Sequence, residues 1–61
     1  WWRVVLTSTI HPKLFRSNGS CDDESKTIYI NENLSSTRMR KVLCHEITHA
    51  AMFSYNVELN V

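Results

Sequence analysis

The chain is predicted to fold as a small α+β domain, with two or three strands packed on one helix over about residues 35–55. Three observations predict this class. Trp1–Ile10 and Lys26–Asn31 are rich in β-branched and aromatic residues, which suit a pleated, half-buried surface. Met39, Val42, Leu43, Ile47 and Ala50 recur at helical spacing, the mark of an amphipathic helix. The length of 61 residues allows one domain at most, and a domain of about 60 residues buries only roughly 60% of its unfolded surface.

The first strand is expected within Trp1–Ile10. Trp2, Val4 and Leu6 alternate with Trp1, Arg3 and Val5, and both faces are largely apolar. Pro12 ends it, because proline has no N–H to give to a ladder. His11–Ser25 is polar and reads as a loop, with Asn18-Gly19 as its turn signal. Cys21-Asp22-Asp23-Glu24 adds an acidic patch. Lys26–Asn31 is the second strand, with Ile28 and Ile30 on one face and Thr27 and Tyr29 on the other. Ser35 is the expected N-cap of the helix, its hydroxyl accepting an orphan N–H. Leu34 before it and Met39 within the first turns fit a hydrophobic staple. Arg38 stands where a capping box would place Glu or Gln. The helix should run to about Phe53 or Tyr55, and Asn56–Val61 could turn into another element.

Seven basic and six acidic residues leave a net charge of +1, and the pI of about 8.0 gives no sign of a polyanion partner. Arg38, Arg40 and Lys41 form the only basic cluster and read as a solvated helix face. The longest strongly apolar stretch falls far short of the ~20 residues that span a bilayer. Two cysteines are too few for a disulfide scaffold. Cys21 and Cys44 are therefore expected to be free thiols of a cytoplasmic protein. Residues 1–61 begin without Met and end without a Gly or Pro stop. They read as a single small domain that is a fragment, or is trimmed at one or both ends.

His45-Glu46-Ile47-Thr48-His49 carries the chemistry. Residues four apart on a helix share a face, so two imidazoles in an H-E-x-x-H pattern can grip one zinc ion while the Glu serves as general base on its water. The helical wheel adds support that does not depend on the pattern. At about 100° per residue, Glu46 falls between Val42 and Ala50, His49 lies along the stripe's edge, and His45 lies just beyond. A helix that only packs would keep a carboxylate off that face, since burying an unpaired charge costs several kcal/mol. Zinc is the expected metal, because imidazole suits it.

Catalytic zinc sites take three protein ligands, and this chain clearly supplies two, His45 and His49. Tyr55 and Met52 exclude the H-E-x-x-H-x-x-G-x-x-H subclass. Glu58 would reach the metal only if the chain doubled back. His11 reads as a surface histidine, and Asp22, Asp23 and Glu24 as solvated loop charges. Cys44 sits about 100° around from His45 and points elsewhere. Tyr29 reads as a packed strand aromatic, and Tyr55 as packing rather than an oxyanion donor. The third ligand is expected from a Glu, His or Asp on a following helix.

The stretch Thr27–Leu34, then Val42-Leu43-Cys44-His45-Glu46-Ile47-Thr48-His49-Ala50, resembles the minimal zincin domains. These are the ImmA/IrrE-type metallopeptidases of phages, mobile elements and bacteria, and the SprT-like proteins. The resemblance covers about Lys26–Met52. It implies a zincin-like fold, His45 and His49 as zinc ligands, Glu46 as catalytic base, and a peptide or protein substrate. It also implies that Lys26–Asn31 is an edge strand pairing with extended substrate, and it suggests a phage or prophage origin. Thr48 departs from the family's frequent Gly. The expected activity is zinc-dependent peptide hydrolysis. The alternative is a metal-binding regulatory or interaction module without hydrolysis. No nucleic-acid or membrane partner is expected, and the oligomeric state is left open.

Overall fold

A computed structural model describes residues 1–55. The element order is β1 (Arg3–Thr7), β2 (Gly19–Asp22), β3 (Thr27–Asn31) and α1 (Ser36–Tyr55). The expected α+β class is what is found, with three strands and one helix. Glu58 and the element proposed for Asn56–Val61 lie outside the described residues.

The sheet order is β1-β3-β2. β1 runs parallel to β3, with Val4 beside Ile28 and Leu6 beside Ile30. β2 runs antiparallel to β3, with Cys21 beside Ile28. This topology corrects two expectations. Lys26–Asn31 is not an edge strand, because β3 is paired on both sides. His11–Ser25 is not all loop, because Gly19–Asp22 forms the edge strand β2. Asn18-Gly19 therefore opens a strand instead of turning the chain. The hairpin turn falls at Asp23–Lys26, where Lys26 takes the left-handed conformation at φ 55°. The Asp22 carboxylate organises that turn by accepting from the Glu24 N–H at 3.1 Å and the Ser25 hydroxyl at 3.0 Å.

The helix begins as its sequence predicts. Ser35 Oγ accepts from the Arg38 N–H at 3.3 Å, and Ser35 C=O accepts from the Met39 N–H at 2.8 Å. Leu34 and Met39 both pack against the core, as a hydrophobic staple should. α1 lies on β2 and β3. Ile28, Ile30 and Ala50 form the buried centre, with Trp2, Cys21, Val42 and Leu43 packed around them. At the far end, Trp2 Nε1 donates to Ser54 Oγ at 2.9 Å, and the Trp2 ring stacks on Phe53 at 6.3 Å. Beginning and end of the described chain are thus tied together.

Ile47 departs from the expected apolar stripe, being 51% exposed. The cause is sheet coverage. The helix sits over β2 and β3, so the flank turned toward β1 has nothing across from it. Val4 and Leu6 share the helix-facing side of the sheet through their register with Ile28 and Ile30, and they are half exposed for the same reason.

Candidate metal centre

Helix geometry sets His45 and His49 one turn apart, and their Nε2 atoms approach to 3.1 Å. Two nitrogens held about 2.05 Å from one tetrahedral zinc stand about 3.3 Å apart. The separation is close to the bite that a single ion requires, and it is equally that of a hydrogen bond from one ring to the other. His45 is exposed and His49 half-buried, so the pair sits at the edge of the helix–sheet packing with one side open.

Glu46 turns inward from the same helical turn and is only 7% exposed. Gly19 makes this possible. A Cβ there would meet Val42 Cγ1 at 2.5 Å and Glu46 Oε2 at 3.1 Å. The glycine lets β2 and the helix approach closely, with the carboxylate lying against the bare backbone. No buried side-chain oxygen among the described residues lacks a partner, and Glu46 lines a cleft of about 700 Å³. The residue is thus buried as a whole while it forms part of the cleft wall.

The cleft runs between α1 and the chain entering β2, with Ser17, Asn18 and Gly19 on one wall. That wall is anchored to β3. The Asn31 N–H donates to the Asn18 carbonyl at 2.9 Å, and Asn31 Nδ2 donates to Asn18 Oδ1 at 3.2 Å. The two residues before the wall, Phe15 and Arg16, take left-handed φ values of 49° and 68°, a conformation that non-glycine residues rarely adopt. Arg38 and Lys41 line the helix side with His45 and Glu46. Both are exposed, as a solvated helix face should be, and that face is also one wall of the cleft. The signal was present in the spacing 38, 41, 45, which puts the two cations on the His45 flank of the helix.

The remaining candidates lie elsewhere. His11 stacks on Tyr29 at 5.0 Å and accepts from the Lys13 N–H through Nδ1 at 3.0 Å. Tyr29 alternates with Ile28 and Ile30, so both rings lie on the sheet face away from the helix. Asp22 pairs with Lys13 at 3.0 Å and Asp23 with Lys26 at 2.8 Å. Tyr55 is 78% exposed at the helix end. Cys21 and Cys44 are both free. Cys21 faces the helix, where burial pushes its thiol up from the ordinary value and the Glu46 charge adds to the shift. Among the described residues no three metal-ligating side chains converge, so the structure brings together two imidazoles, a carboxylate and a cleft.

A family model for the IrrE N-terminal-like domain, Peptidase M78, matches residues 5–60. No curated protein and no solved structure matches. The match spans nearly the whole chain, and the chain belongs to this family, a metallopeptidase-type domain. The ImmA/IrrE side of the expected resemblance is the one matched. Among the described residues no helix is long and apolar enough to cross a membrane.

Proposed function

We propose that the protein is a zinc-dependent metallopeptidase of zincin-like design, with His45 and His49 as metal ligands and Glu46 as general base. The observation that carries this is the pair of Nε2 atoms at 3.1 Å beside a core-facing Glu46. When bound, zinc would polarise the scissile carbonyl and acidify the attacking water. Glu46 would be the group that accepts a proton from the attacking water and returns it to the leaving amine. Its placement suits both steps, since burial restricts the side chain and the residue forms part of the cleft wall. An extended peptide is the proposed substrate. β2 is the edge strand next to the cleft and can accept it by strand addition, a role the family resemblance had implied for β3.

The second reading is a metal-binding module that does not hydrolyse peptides. Glu46→Gln separates the two. With zinc supplied, the substitution should lower peptide hydrolysis by at least about 100-fold, the low end for removing a general base, and leave zinc stoichiometry unchanged. Equal cleavage by the variant would overturn the mechanism. Stoichiometric zinc with no cleavage by either form would establish the second reading.

A further inference from the structure

We infer that Arg38 and Lys41 recognise a carboxylate of the peptide, set two or three residues from the cleaved bond; this rests on the peptidase reading above. Both side chains line the cleft that holds His45 and Glu46, and among the described residues neither forms an ion pair, as is also true of Arg3, Arg16 and Arg40 outside the cleft. Arg40, between them in sequence, is absent from the cleft wall. The two cations are thus selected by helical position and not by local composition.

Arg38 also breaks a local rule. It occupies the third position of the helix, where the macrodipole is positive and Glu or Gln would complete a capping box. The first turn carries no acidic residue. An anion in the cleft would offset both cations and the helix end together. Lys41 and Arg38 stand four and seven residues before His45, about 6 and 10 Å along the axis. An extended peptide rises about 3.3 Å per residue, which gives the separation from the cleaved bond. The chemistry is a carboxylate from an Asp or Glu side chain or from a chain terminus. Nucleic acid fits less well, because the net charge is only +1 and no Phe, Tyr or Trp of the described residues lines the cleft for base stacking.

The test is equilibrium binding of fluorescent octapeptides to the zinc-supplied Glu46→Gln protein. The series starts from a Gln-rich peptide capped at both ends. One arm places Glu at each position in turn, and a second frees the C-terminal carboxylate. At least one arm should bind tenfold tighter than the capped peptide, and the arm that does so identifies the source. The preference should fall to within twofold in Arg38→Gln/Lys41→Gln and survive Arg40→Gln. Arg38→Glu/Lys41→Glu should move it to a Lys-bearing peptide. No difference between Glu and Gln peptides would overturn the inference, as would a preference that survives the double variant. An eight-nucleotide strand outcompeting every acidic peptide in an Arg38- and Lys41-dependent way would also overturn it. Cleavage of the same peptides by the unsubstituted protein separates the two claims. Preference without cleavage leaves the carboxylate site and removes the peptidase, and cleavage without preference does the reverse.

Discussion

Glu46 occupies a position that packing alone would give to an aliphatic residue. It lies between Val42 and Ala50, 7% exposed, in the wall of a cleft. Residues kept for chemistry commonly cost stability. Glu46→Gln should therefore stabilise the metal-free protein by about 1 kcal/mol, the low end for a buried polar group. Urea unfolding measures this, and a loss of stability would mean that the carboxylate has a structural partner. Gly19 is its counterpart across the interface. Gly19→Ala adds a methyl 2.5 Å from Val42 Cγ1, and valine is stiff at χ1. The expected cost is about 1–3 kcal/mol of overpacking. Because the two sites touch, Val42→Ala should cost less in the Gly19→Ala background than alone. Of these two residues only Glu46 was legible in the sequence. A carboxylate inside an apolar stripe is visible from periodicity, whereas the need for glycine at position 19 arises only once strand and helix meet.

At the scale of elements, β1, β3 and α1 were readable and β2 was not. Gly-Ser-Cys-Asp has poor strand propensity. It is held in place by its partner β3 and by an organised turn, both of them tertiary facts. That same strand decided which edge faces the cleft, so the candidate substrate edge shifted from Lys26–Asn31 to Gly19–Asp22. The hairpin is tied back by Lys13, whose hydrogen bond to Asp22 holds that carboxyl below its ordinary value of 3.8, with Ser25 assisting. The same hydrogen bond, with the attraction of the Asp22 charge, holds Lys13 above its ordinary 10.5. A lowered acid contributes its stabilisation fully above 3.8, and the contribution disappears as pH falls through the lower folded value. The opposite sign holds for Lys13, whose contribution is full below 10.5 and disappears as pH rises through the higher folded value. Titration of Asp22 by NMR should give a midpoint under 3.8 that rises in Lys13→Met. An unmoved midpoint would show that the ion pair is not populated in solution.

The molecule as a whole has a small centre. Leu14, Ile28, Ile30 and Ala50 are its buried apolar residues among those described, while Val4, Leu6 and Ile47 remain half exposed. A domain near this size is marginal, so binding energy from a metal should show directly as stability. Zinc at 100 times its Kd should add about 2.7 kcal/mol if it binds only the folded protein. For a domain of this length that raises Tm by about 10 °C or more. His49→Ala should abolish the shift, and a chelator should reverse it. The size of the shift carries further information. His45 and His49 belong to one helical turn, so a nascent helix in the unfolded chain can still offer both imidazoles, and any binding to the unfolded state reduces the gain. A shift well below the amount calculated from the measured Kd would mean that zinc is held by the helix alone. A full shift would mean that only the folded protein presents the zinc site. No shift at any zinc concentration would remove the metal from both proposed readings and leave Glu46 as an unexplained charge on a packing face.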